Sequence, residues 1–373
     1  MADGNNLFIH TGTIVAADTP GELSGVIAHE TGHIQGGHIL RQKLQNQSLQ
    51  EVSLASAILA GTAAALSGRG DVAMAAMLGS QSSLLTHYTR YRTEEERSAD
   101  DAAIKLLEQT KQSPQGMLTF MKRISAQYQM QGFDERPYFR THRVSRERIS
   151  FFEEVIKQSN IKENTSLQEK FERVKAKLYA YLNPPAQTLR KYPPQDKSIS
   201  GLYARTIAYF KQLQFAKAES ELDQLLAKEP NNPYFHELKG QIYLETGKIK
   251  QAKTEYQKAS ALLPDSALLQ ISYAQAILED EPRPEEVQKA VNLLTKSIIK
   301  HPTGFAWLLL PRAYGLQGNE AAANYAAAEY SLRIGAIDVA RAQLKQAKKL
   351  SPDSHLALKI GDLEARLESL SKK

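Results

Sequence analysis

The chain has 373 residues, 42% of them hydrophobic and 24% charged, so it is long enough for two or three domains and too apolar for wholesale disorder. Zero cysteines exclude a disulfide scaffold, an iron–sulfur protein, a thiolate zinc site and a cysteine nucleophile. The 47 basic and 41 acidic residues leave a net +6 spread along the chain, which gives no argument for nucleic acid as a partner.

Met1 to Asn6 has neither a basic region nor an apolar core of the kind a signal peptide needs, so none is visible. Leu7 to Val15 is β-branched and aromatic and predicts a strand or strand pair. From Gly21 to about Leu49 the apolar residues Leu23, Val26, Ile27, Ile34 and Leu40 recur at helical steps. Further helices are expected over 52–66, 71–86, 94–110, 114–130, 145–158 and 166–182. The apolar run 54–66 is 13 residues long, short of the ~20 that span a bilayer, and reads as a buried or cleft-covering helix. No transmembrane segment is expected.

The first long helix carries His29-Glu30-Thr31-Gly32-His33, an H-E-x-x-H. Four residues turn a helix by 400°, so both imidazoles leave one face and can close on one Zn²⁺, with Glu30 beside them to act on water. A third ligand is needed. An extended motif would require histidine at 39, which is Ile39. If the helix continues, His38 points ~140° away from His33 and cannot share its metal. A carboxylate on a later helix remains, and Thr93 to Ala102 offers one. Glu96 and Asp100 lie four apart on the face that Ala103 and Leu107 continue into the core. Glu94 and Glu95 fall at the helix start, where the dipole already favours acidic groups. Glu96 is therefore the expected ligand, and Asp100 is placed to accept the free N–H of a ligand imidazole.

Two Pro-Pro pairs, Pro184-Pro185 and Pro193-Pro194, predict an extended linker over 183–198 between a domain at 1–182 and another at 199–373. Beyond it the chain repeats. Pro230, Pro264 and Pro302 mark unit ends, and the unit 233–266 places Gly240, Tyr243, Gly247, Ala252, Tyr256, Ala259 and Pro264 in tetratricopeptide register. A lone helix follows from Phe305 to Gly318, then a further unit near 321–352. Asp353 to Leu370 would cap the stack.

His29 to His33 followed by Glu96-Arg97-Ser98-Ala99-Asp100 resembles the H-E-x-x-H and E-x-x-A-D pair of CAAX-prenyl-protease-like zinc metallopeptidases, which include HtpX, Oma and BepA types. Thr141 to Ile149 is similar to that family's T-H-P-x-x-x-x-R-I segment, with Arg143 in place of the proline. Appended tetratricopeptide repeats match the BepA-type branch. The resemblance implies a helix-dominated α+β peptidase domain, lacking its N-terminal part, followed by an all-α repeat solenoid. It also implies one Zn²⁺ per chain on His29, His33 and Glu96, with Glu30 as general base. The setting it implies is periplasmic and the role outer-membrane protein quality control. Substrates would be proteins or peptides, and the repeats would reach outer-membrane assembly machinery.

Three readings of His142 stay open: a transition-state hydrogen-bond donor, a fourth metal ligand that silences the site, or an exposed loop histidine. Arg148 would hold a carboxylate or the developing oxyanion. The competing functional reading is a repeat-based interaction protein with a silenced metal site.

Overall fold

In the computed structural model, residues 2–3, 6–38, 40–41, 44, 92–131, 142, 144–301 and 303–371 are described. The segments expected as helices over 52–66 and 71–86 lie outside them. The chain divides into two compact units, Met1–Tyr179 and Ala180–Lys373. Among the described residues, no helix is long and apolar enough to cross a membrane.

The first unit opens on strands β1 (Ala2–Asp3) and β2 (Asn6–Leu7), an antiparallel pair with Ala2 opposite Leu7 and Asp3 opposite Asn6. The strand expected over 7–15 does not form. Phe8 and Ile9 are exposed, and Thr11–Ala16 is a short helix, α1. Its end is fixed from outside. Arg123 Nη1 donates to Ala16 O at 2.6 Å, and Ala17 is wholly buried, so tertiary anchoring overrides β-propensity.

Helix α2 (Pro20–Gln35) starts with proline in its first turn, where the missing N–H costs nothing. Thr19 caps it by accepting from Glu22 N at 3.1 Å, and Glu22 in turn accepts from Asp18 N at 2.8 Å. The helical pattern expected to about Leu49 is interrupted, and the described residues His38, Leu40, Arg41 and Leu44 are helical again beyond the break. Helix α2 itself stops at Gln35, with Gly37 in the left-handed region at φ +63°. Helices α3 (92–109), α4 (Gln115–Gln131), α5 (Arg146–Gln158) and α6 (Gln168–Leu182) follow.

Two glycines on α2 set how closely its neighbours approach. A Cβ on Gly25 would stand 2.7 Å from Met117 Cβ on α4, and one on Gly32 would stand 2.6 Å from Ala99 O on α3. Around the first crossing Val26, Ile104, Met117, Met121, Ile124 and Phe152 form the apolar core. At the second, Ala28, Ala103 and Leu107 seal α2 against α3.

In the second unit the proline-rich stretch is not an extended linker. Pro185–Lys191 is a helix, α7, because proline suits a helix's first position as well as it blocks an interior one. Two cations tie this stretch to α8 (Ile199–Lys211). Lys211 Nζ donates to the carbonyls of Ala180, Tyr181 and Asn183 at 2.8–2.9 Å. Arg205, fully buried, donates from Nη1 to Pro193 O at 2.7 Å and Asp196 O at 2.8 Å.

The repeats then run as α9 (Phe215–Lys228), α10 (Pro233–Glu245), α11 (Ile249–Leu262), α12 (Ala267–Glu279), α13 (Pro284–Lys300), α14 (Gly304–Leu316), α15 (Glu320–Arg333) and α16 (Ile337–Lys349). Left-handed residues, Leu213, Gly247, Glu281, Gly318 and Gly335, sit in the short turns. Tyr256 lies against Gly240, where a Cβ would be 3.0 Å from its ring. One core extends from Ala252 and Tyr256 through Ile277 and Leu294 to Trp307 and Ala326. The last helix, α17 (Ser354–Ser371), buries Ile360, Leu363 and Leu367 against Leu344, and its outward side is mostly polar apart from the exposed Leu358 and Leu370.

Gly32→Ala should destabilise the first unit by about 1–3 kcal/mol through the forced shift of α3, despite alanine's better helix propensity. Urea melts that match the wild type would refute the close-approach argument. A fragment starting at 180 should be more stable than one starting at 199. The shorter piece strips Arg205 of two acceptors at a cost of about 1–3 kcal/mol, readable by thermal circular dichroism; equal melts would refute it.

Candidate metal centre

The H-E-x-x-H lies in the C-terminal half of α2, where His29, Glu30 and His33 are at most 5% exposed. Helix α3 supplies Glu96 and Asp100, one turn apart and both buried. His142 precedes α5, and Arg148 lies in that helix's first turn, where Ser145 caps by accepting from Arg148 N at 3.3 Å. One ligand atom each from His29, His33, Glu96 and His142 falls within 4.8 Å of the others.

The pairwise distances are informative. His29 Nε2 and His33 Nε2 are 3.2 Å apart. His29 Nε2 is 3.4 Å from Glu96 Oε2, and His33 Nε2 is 3.3 Å from Glu96 Oε1. His142 Nδ1 stands 3.3 Å from His29 Nε2 and 2.9 Å from Glu96 Oε1. Ligands at ~2.0–2.1 Å on the corners of a tetrahedron are ~3.3 Å apart, so this donor set fits a zinc-sized ion. The chemistry of the set, two or three imidazoles and one carboxylate, suits Zn²⁺ as well.

The surrounding charges favour a cation there. Burial disfavours a charged His29, yet hydrogen bonds to Asp100 and Glu96 and the Asp100 charge outweigh it and raise His29 to about 9. Burial also opposes ionised Glu96, but hydrogen bonds from His142, His29 and His33 hold it far below the ordinary carboxylate range. Asp100 is held low against its burial by hydrogen bonds to His29 and Arg148. Burial lowers His142 against the pull of Glu96 and Glu30.

Each sequence-derived candidate has a place. Asp100 Oδ1 lies 2.8 Å from His29 Nδ1, the nitrogen that faces away from the cluster. Arg148 grips Asp100 with Nε at 2.6 Å and Nη2 at 2.8 Å, and its Nη1 is 2.6 Å from Glu96 Oε2. Its nitrogens therefore face carboxylates, one of the two roles expected. His142 Nε2 is 3.3 Å from Glu30 Oε1, and the residue is half-buried, so the exposed-loop reading does not hold. Glu94 is exposed. Glu95 is buried, but its carboxylate is not among the clustered atoms.

The sequence reading misses His38. It is not in the donor cluster, as expected, but it has not turned away from His33 either: the two Nδ1 atoms are 2.9 Å apart and His38 is buried. Burial, with the charges of His33 and Arg41 next, pushes it down to about 4. Only a helix continuing unbroken through position 38 would have turned it away. Gly36-Gly37 was the signal that the helix stops.

Residues 1–156 match peptidase family M48, and residues 209–278 match a tetratricopeptide repeat family. The chain thus pairs a region that matches a metallopeptidase family, residues 1–156, with tetratricopeptide repeats. It is 24% identical over 396 aligned positions to the beta-barrel assembly-enhancing protease of Yersinia pestis, covering 99% of this chain and 76% of that one. The protein of the same name from Escherichia coli K12 is 25% identical, over 98% of this chain and 75% of its own.

Proposed function

We propose that this metallopeptidase is a zinc-dependent endopeptidase of the periplasm, acting on misfolded or assembling envelope proteins. Residues 1–182 would be its α+β catalytic domain, 183–198 the connection and 199–373 the repeats that recruit substrate or partner. The envelope setting is brought by the relatives' name, which describes a protease that enhances β-barrel assembly. The chemistry is supported by one observation above all. Three donors from two helices, His29, His33 and Glu96, stand 3.2–3.4 Å apart, with Glu30 next in sequence to the first.

His29, His33 and Glu96 would hold one Zn²⁺ per chain. When bound, zinc supplies a Lewis acid that polarises the scissile carbonyl and acidifies the attacking water. Glu30 takes the proton from that water on its carboxylate and returns it to the leaving nitrogen. Asp100 fixes the His29 tautomer, and Arg148 holds both Asp100 and Glu96 in place. The repeats offer peptide or protein partners a surface of paired helices.

A second reading has its own observation. His142 lies within the donor cluster, 3.3 Å from His29 Nε2, where a fourth ligand would stand. In that position it excludes water and leaves the repeats as the working part until it is displaced. The same ring is 3.3 Å from Glu30, within reach of a substrate carbonyl should it swing aside, so the transition-state donor role is the rival.

Purified protein should carry about one zinc per chain, lost in His29→Ala, His33→Ala and Glu96→Ala but kept in Glu94→Ala. Glu30→Gln should keep zinc and lose casein cleavage. Metal analysis showing full occupancy in the histidine variants would end the proposal, and an active Glu30→Gln would remove the general base. His142→Ala should raise basal cleavage, self-cleavage included, with zinc retained. A fall in kcat of about 10²–10³ would instead make His142 the donor.

A further inference from the structure

His29 and His33 are related by one helical turn but are not held alike. Behind His29 stands a carboxylate, Asp100. Behind His33 stands a second imidazole, with His38 Nδ1 at 2.9 Å and the rings inclined at 78°. We propose that His38 is a positioning residue of the metal centre, its Nδ1 accepting the Nδ1–H of His33 and thereby aiming His33 Nε2 at the cluster.

The direction of the bond follows from His33's other nitrogen. Nε2 faces Glu96 at 3.3 Å and His29 Nε2 at 3.2 Å, and must keep a lone pair to bind a metal. A neutral ring then carries its proton on Nδ1 and donates it. His38 accepts on Nδ1 and carries its own proton on Nε2. An imidazole also does what a carboxylate would do less well here. Glu30, Glu96 and Asp100 already bring three acidic groups to the site, and His38 holds a ligand without adding a fourth.

The backbone has been shaped for this contact. Five residues along a continuous helix would carry His38 ~140° away from His33. Instead, α2 closes with Gly36 N donating to Gly32 O at 2.9 Å and Gly37 N to Ile34 O at 3.0 Å, and Gly37 turns the chain at φ +63°. The His38 ring folds back over Gly36. A Cβ there would lie 2.3 Å from His38 Nε2 and 2.7 Å from Cε1, so any larger residue at 36 evicts the ring. Gly36 itself has an ordinary helical φ of −70°, which alanine adopts freely. Its glycine identity is therefore explained by the ring.

The inference rests on the metal-centre reading, and the test separates the two. Zinc affinity is measured on the full chain by competition with a chromophoric chelator. His38→Leu keeps bulk but has no acceptor and should bind zinc about 10–100-fold more weakly. His38→Asn places an amide oxygen near the Nδ1 position and should recover most of that loss, whereas His38→Gln, whose oxygen reaches further, should not. Gly36→Ala should weaken zinc like His38→Leu while leaving both histidines in the sequence. Long-range ¹H–¹⁵N spectra of the zinc-loaded protein should show His33 protonated on Nδ1 and His38 on Nε2. If His33→Ala loses zinc while His38→Leu binds as tightly as the wild type, the positioning role is overturned and the metal centre stands. Equal weakening by Leu and Asn would reduce His38 to packing. Undiminished zinc in His33→Ala would overturn the metal centre and this role with it.

Discussion

The cluster of His29, His33 and Glu96 exists because α2 and α3 touch at Gly32 and Ala99. With no Cβ at position 32, the backbone of α3 comes within van der Waals range, and Ala103 and Leu107 seal the seam further along. One turn of α3 on the near side of that contact is Glu96, and Asp100 follows directly after Ala99. A single crossing thus delivers a carboxylate to His29 and His33 and another to the back of His29. Even alanine at 32 would have to push Ala99 O back from 2.6 Å towards ordinary contact, a shift larger than the tenths of an ångström a donor set tolerates.

That crossing also collects charge where water is scarce, and the site works because the charges answer one another. Burial alone would raise Glu96 and Asp100 and lower His29. All three move the other way: Asp100 and Glu96 hydrogen-bond with His29, histidines compensate Glu96, and His29 with the Arg148 guanidinium compensates Asp100. Arg148 is well suited to this. Its planar fork takes Asp100 through two nitrogens and reaches Glu96 with the third, which a lysine could not do. Removing one member of such a network leaves its partner buried and uncompensated, a cost of about 3–5 kcal/mol that exceeds the worth of any single pair.

How much of this was legible in sequence depended on how local the determining contacts are. His29, Glu30 and His33 are readable because a helix turns helical spacing into shared direction. Glu96 and Asp100 were readable by the same rule, once a second helix was assumed to face the first. The strand expected over 7–15 failed because Arg123, more than a hundred residues away, fixes the end of α1. The extended linker failed likewise, because Arg205 and Lys211 fold the proline stretch onto α8. His38 departs from expectation for a different reason: a break at Gly36-Gly37 redirects the chain before helical residues resume at His38.

The repeats were the more legible half for the same reason. Each helix there packs chiefly on its neighbours in the chain, so a small residue such as Gly240 and a large one such as Tyr256 lie only sixteen positions apart. A period of about 34 residues then encodes contacts directly. The peptidase unit has no such period. Its decisive contacts join positions 32 to 99, 25 to 117 and 100 to 148, and each is written in sequence as an isolated glycine or charge. A glycine in mid-helix costs about 1 kcal/mol in propensity, so Gly25 and Gly32 within one sixteen-residue helix oppose its local stability. What offsets them is the approach they permit, and at Gly32 that approach brings Glu96 to His29 and His33.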